Sequence, residues 1–284
     1  MTRLNGVIKA FENGQKAFGT FAPASMESAL WVSGAPYDGV IYEMEHRPWN
    51  PAELRDTLQY MLSRKQIRAS ADPSPSVTPI CRIPANGGEM NQWLAKQALD
   101  VGVFGVVWPH VSTAEQAYNA VAACRYPRLK TAPRYEPAGI RGDSPATAAR
   151  FWGLSQAEYY KKADVWPLDP QGEILVILMI EDILAIENLE EMLTKVPGIG
   201  AVLIGEGDLS QELGYPREYE HPEVVRHMAE IVRVCKAHGV AVGHPHVGSK
   251  NVERVVKEGF DLLLASPARS FSALENGRKL AGRN

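Results

Sequence analysis

Two acidic residues stand where long apolar runs break off. Residues 174–180 are continuously apolar and stop at Glu181-Asp182; residues 201–204 are apolar and stop at Gly205-Glu206-Gly207-Asp208. Between them Ile183, Ile186, Leu189, Met192 and Leu193 recur at helical spacing. A strand–helix–strand unit makes the two strands parallel. As sheet neighbours they would lie about 5 Å apart, and Glu181 and Asp208 would emerge side by side. Two carboxylates so close repel unless a cation lies between them, and oxygen ligands suit a hard divalent ion. The competing reading makes one a helix cap and the other a solvated loop acid.

Other residues of chemical interest also follow apolar runs. Arg82 lies in TPICRI, where an arginine needs a carboxylate or an anionic ligand as partner. His46 follows Glu43 and Glu45; a histidine held by a carboxylate is the usual form of a general base, and a surface turn is the alternative. Gly205 and Gly207 precede a short helix expected at 209–213, so they either let backbone N–H groups approach an anion or form a tight turn. His110, and His244 with His246, are weaker candidates. Trp108 and the aromatics between Phe151 and Trp166 read first as packing or interface residues.

These residues need elements to carry them. Apolar runs at 17–22, 38–42, 78–83, 103–108, 174–180, 201–204, 240–243 and 260–265 alternate with helical patterns. Asn50-Pro51-Ala52-Glu53 is a helix start with a cap, a first-turn proline and an acid. Ser112 with Glu115 reads as a capping box for a helix to residue 123. Further helices are expected at 4–11, 26–33, 89–98, 222–238, 252–257 and 272–280. Residues 125–172 break the rhythm and read as a long excursion, the kind of segment that serves as a lid or subunit contact. Eight buried strands alternating with helices predict one (β/α)8 barrel over residues 1–284, with an N-terminal helix and the excursion between strands four and five. The strand ends then carry Glu43, Glu45, His46, Arg82, His110, Glu181, Asp208, His244, His246 and Ser266. The C-terminal ends of barrel strands are where such folds place catalysis.

Composition narrows the class. A formal net charge of −3 over 284 residues gives no electrostatic footprint for nucleic acid. Cys81, Cys124 and Cys235 are far apart and odd in number, which fits buried thiols in a reducing compartment. The N-terminus has no apolar signal core, and no run is long enough to span a membrane. A cytoplasmic protein is expected, without membrane or nucleic-acid partners.

Six segments stand out: EMEHRPWNP at 43–51, CRIP at 81–84, FGVVWPHVSTAEQA at 104–117, RYP at 125–127 followed by PAGIRG at 137–142, MIED at 179–182, and PGIGAVLIGEGDLSQELG at 197–214. They fall in order from the second strand to the sixth. Together they resemble the HpcH/HpaI class II pyruvate aldolases. The resemblance implies a metal-dependent carbon–carbon lyase that cleaves a 4-hydroxy-2-oxo acid to pyruvate and an aldehyde. A divalent Mg, Mn or Co would be held by Glu181 and Asp208. Arg82 would stand beside the developing enolate oxygen, and His46, oriented by Glu43, would move protons. N–H groups near Gly207 and Asp208 would hold the carboxylate. A homo-oligomer, hexameric or trimer-based, is implied too.

The chain departs from that pattern at Glu43, where the family has Asp, and at Met179, where Gln is common. GEGDLS replaces GPADLS, which places Glu206 near the site, and WPHV replaces VPMV. Trp108 and Met179 are therefore expected to line an altered substrate pocket. A citrate-lyase β type CoA-ester lyase and a 2-oxo acid decarboxylase are the alternatives among enzymes; a 2-oxo acid sensor or scaffold is the alternative outside them.

Overall fold

The computed structural model describes residues 3–70, 72–265 and 272–283, with Ser272 described by its backbone alone. Among the described residues, nine strands form one sheet: β1 (Ala17–Pro23), β2 (Gly39–Glu43), β3 (Thr78–Arg82), β4 (Gly105–Trp108), β5 (Val165–Trp166), β6 (Ile174–Ile180), β7 (Ala201–Ile204), β8 (Ala241–Val247) and β9 (Leu262–Ala265). The order is β4-β3-β2-β1-β9-β8-β7-β6, and a parallel β4–β6 pairing closes the ring. β5 is a two-residue addition beside the start of β6. The eight ring strands and the helices between them make a (β/α)8 barrel.

Strand alternation sorts the apolar residues into two cores. Ile41, Ile80, Val107, Ile177, Met179, Leu203 and Leu264 fill the barrel interior. Val40, Tyr42, Cys81, Val106, Trp108, Leu178 and Val202 face the surrounding helices. The N-terminal helix Gly6–Glu12 starts at Asn5, whose side chain accepts from the Val7 and Ile8 N–H groups. Its Val7, Ile8 and Ala10 join the interior core, so the helix plugs one end of the barrel.

The excursion over 125–172 holds helices Ala146–Phe151 and Gln156–Lys162. Its aromatics pack inward: Trp152 stacks on Phe104 at 4.1 Å and meets Tyr159 edge-on, while its indole N–H donates to Gly102 O at 2.8 Å. Gly102 and Phe104 precede β4, and β5 pairs with the start of β6. The excursion thus sits at the N-terminal ends of the strands. It does not cover the opposite mouth, which argues against the lid among the two readings given for it.

Helix starts follow their caps. Asn50 accepts from the Glu53 N–H ahead of the helix Pro51–Tyr60. Thr113, not Ser112, caps the helix Ala114–Ala123; the Ser112 hydroxyl instead donates to Asp182 at 2.6 Å. Asp182 caps the helix Ile183–Lys195, which leaves the preceding acid, Glu181, free of that duty. Among the described residues, no helix is long and apolar enough to cross a membrane.

Candidate active site

The C-terminal mouth of the barrel gathers most of the expected side chains. Glu43 and Arg82 are the last residues of β2 and β3 and stand in register, both on the inward face. The Arg82 Nε donates to Glu43 Oε2 at 2.7 Å, and a second guanidinium nitrogen also bonds that carboxylate. Another guanidinium nitrogen lies 2.9 Å from Glu45 Oε2. The Phe21 ring sits 4.9 Å beneath the guanidinium carbon, and Met179 Sδ is 3.6 Å from the nitrogen that faces Glu45. Arg82 is therefore fixed on several sides, as a fork-shaped donor can be.

Glu43 also organises the turn that follows it, accepting from the backbone N–H groups of Glu45 (2.8 Å) and His46 (3.1 Å). Its carboxylate is taken up by Arg82 and that turn. The acid beside the His46 ring is Glu45, with Oε2 at 3.6 Å from Nε2. This corrects the expectation that Glu43 orients His46: a strand-end residue facing inward meets the neighbouring strand, and the turn brings Glu45 round to the histidine. The His46 side chain is 67% exposed, against 8% for Glu45. Burial pushes the Glu45 carboxyl above the ordinary range, with Arg82 and His46 pulling it back.

Across the mouth, Glu181 is 2% exposed, and burial pushes its carboxyl up to about 7, with the nearby Glu45 and Asp208 adding to the rise and His110 opposing it. It accepts from the His110 backbone N–H at 2.6 Å. Gly205, the N-cap of the helix Glu206–Glu212, makes room for it: a Cβ there would lie 2.1 Å from Glu181 Oε2. Asp208, exposed at the mouth, completes a group with Glu181 and His110 in which one ligand atom from each lies within 4.8 Å of the others. A buried carboxylate beside a second carboxylate, with no cationic side chain hydrogen-bonded to either among the described residues, suits a divalent cation. On chemistry and spacing, Glu181 and Asp208 fit the metal that the sequence implies.

Several expected residues do not line the open mouth. Trp108 is fully buried on the helix-facing side of β4; alternation turns it away from the lumen, so it cannot line a substrate pocket. Met179 does face the lumen, but it is 3% exposed and lies under Arg82. Glu206 points outward from the barrel. Its carboxylate bonds His246 Nδ1 and lies 3.9 Å from His244 Nε2, and these residues line a separate cavity with Met228 and Phe260. Glu206, His244 and His246 thus form a cluster away from the mouth. No neighbouring atom would meet a Cβ on Gly207 within 4 Å, so the backbone there is open to approach. Ser266 lies outside the described residues.

The sequence offers Glu43 and Glu45 alike beside His46, the resemblance assigns the role to Glu43, and His110 stands among the weaker candidates. The signal for Glu45 was its position between Glu43 and His46. The signal for His110 was its place two residues after the last apolar residue of β4.

A buried carboxylate beside an exposed one, a fixed arginine and an acid–histidine pair at the mouth of a (β/α)8 barrel define a class of barrel enzymes. The family model for HpcH/HpaI aldolase/citrate lyase matches residues 18–265, and the chain belongs to that family. It is 31% identical over 223 residues to 2-keto-3-deoxy-L-rhamnonate aldolase of Klebsiella pneumoniae, covering 78% of this chain and 72% of the relative. It is also 31% identical to 4-hydroxy-2-oxovalerate aldolase of Rhodococcus jostii, covering 84% and 81%. An HpcH/HpaI aldolase/citrate lyase family protein from Burkholderia cenocepacia shares the fold with a TM-score of 0.75 at 24% identity, over 97% of each chain.

Proposed function

We propose that the protein is a divalent-metal-dependent aldolase that cleaves a 4-hydroxy-2-oxo acid to pyruvate and an aldehyde. The observation that carries this is the pairing of buried Glu181 with Asp208 across the mouth from an arginine fixed by two carboxylates. The relatives named above, aldolases for a 2-keto-3-deoxy acid and a 4-hydroxy-2-oxo acid, support the same reaction class.

Glu181 and Asp208 would hold the cation, which when bound would polarise the 2-oxo group and stabilise negative charge developing on its oxygen. The residues of the chain do the rest. Arg82 keeps its positive charge aimed into the lumen and supports the oxygen that gains charge as the C–C bond breaks. Glu43 holds Arg82 and the turn at Glu45 and His46 in place. His46, beside Glu45 and open to solvent, takes the proton of the substrate 4-hydroxyl through water. The open backbone at Gly207 and Asp208 receives the substrate carboxylate. Met179 supports Arg82 from below.

The whole chain acts as one barrel domain. It works as a homo-oligomer in the cytoplasm, a hexamer or another trimer-based assembly, which light scattering on the purified protein would measure.

The test is pyruvate release from 4-hydroxy-2-oxovalerate and from a 2-keto-3-deoxy sugar acid. Metal removal by chelation should lower release by at least about 10²-fold, and Mg, Mn or Co should restore it. Turnover that persists in metal-free protein overturns the mechanism. Activity on a CoA thioester alone would move the protein to the citrate-lyase side of the family.

A further inference from the structure

His110 carries a backbone that its side chain does not favour. It has φ 47, a left-handed conformation that is uncommon for a non-glycine residue and persists only where surroundings impose it. The surroundings do impose it. Gly87 N–H donates to Pro109 O at 2.9 Å, and Val111 N–H donates to Met179 O at 3.3 Å. A Cβ on Gly87 would lie 2.7 Å from His110 O, so that glycine lets the short helix at Gly87–Glu89 close onto the turn. The strained residue is clamped between that short helix and the end of β6.

The conformation places both halves of His110 against the carboxylate pair. Its N–H donates to Glu181 Oε1 at 2.6 Å, and its Nδ1 lies 3.7 Å from the same oxygen. That separation is too long for a hydrogen bond, and it is ordinary between two donor atoms that share one ion. The ring makes no hydrogen bond among the described residues, and a third of the side chain is open to the mouth. Its donor atom, one oxygen of Glu181 and one of Asp208 all lie within 4.8 Å of each other. Donors 2.0–2.2 Å from a common centre are at most about 4.4 Å apart, so at most a few tenths of an ångström of side-chain adjustment would bring the three onto one ion.

We propose that His110 is a third protein ligand of the metal and sets its identity, favouring Mn or Co over Mg. This rests on the reading of Glu181 and Asp208 as metal ligands and adds to it. Two carboxylates alone make a hard oxygen site suited to Mg, whereas imidazole raises affinity along the Irving–Williams order. The other role open to the ring is that of an imidazolium balancing Glu181 without coordination.

The discriminating measurement is pulsed EPR on the Mn(II)-loaded protein. Coordination predicts a ¹⁴N coupling of directly bound imidazole that vanishes in His110→Ala and changes on ¹⁵N-histidine labelling. Calorimetric titration of His110→Ala should show Mn affinity falling at least about tenfold and Mg affinity falling less than about threefold. Mn bound in a Glu181-dependent way but without nitrogen coupling overturns the proposal, as do equal losses for Mn and Mg. Mn binding that survives Glu181→Gln unchanged overturns the metal reading itself, a distinguishable result. Circular dichroism of His110→Ala controls for folding. Should that variant not fold, the labelled wild-type spectrum decides alone.

Discussion

Arg82 meets two carboxylates at once, and only a forked cation does so without moving. Nε and one terminal nitrogen engage Glu43, and the other terminal nitrogen faces Glu45. A lysine keeps the charge but has a single ammonium on a flexible stem, so Arg82→Lys should lower kcat by about 10²-fold, with metal affinity by calorimetry little changed. Near-normal turnover would remove Arg82 from the chemistry. Much at this scale could be read from the sequence. Glu181 and Asp208 were visible because buried strands end abruptly in acids, and Arg82 because an arginine in an apolar strand demands partners. The partner of His46 was not. Glu43 and Glu45 differ only in where a tight turn sends them, and that turn is set by the hydrogen bonds Glu43 itself accepts. His110 was undervalued because its role depends on a left-handed backbone that no residue type announces.

Elements decide which of two adjacent residues can act. Val107 faces the lumen and Trp108 the helices, so a one-residue step separates the interior from the outer layer. The expectation that Trp108 lines the substrate pocket failed on that step, although the alternation that refutes it is present in the sequence. Trp108→Phe should therefore leave kcat and KM within about twofold while costing on the order of 1–3 kcal/mol in urea unfolding. A KM rise of tenfold or more with unchanged stability would return Trp108 to the site. Element existence was the most legible level: the strand Ile174–Ile180 and the helix Ser272–Leu280 lie where their patterns place them. Ends were less legible, because a cap is chosen by competition. Ser112 lost its expected cap role to Thr113 once Asp182 took its hydroxyl.

At the scale of the whole molecule, the barrel separates chemistry from stabilisation along its axis. The titratable cluster occupies one mouth, while the excursion over 125–172 is tied to the other end. Its inner anchor is an ion pair between Arg125 and Asp164, 2.8 Å apart with side chains 1% and 4% exposed. Arg128 joins Asp164 as well, and Arg125 also donates to Pro137 O and Arg134 O. Removing one member of a buried pair leaves a charge without compensation and costs about 3–5 kcal/mol. Asp164→Ala leaves the buried Arg125 guanidinium without its carboxylate and should lower stability by that amount, read as a shift in the urea midpoint. Because this pair lies at the end of the barrel away from Glu181 and Arg82, the folded variant at low temperature should keep its metal affinity and its kcat within about twofold. A variant that stays as stable as the parent but loses turnover would mean that the excursion reaches the catalytic mouth, contrary to its place at the N-terminal ends of β4 and β6.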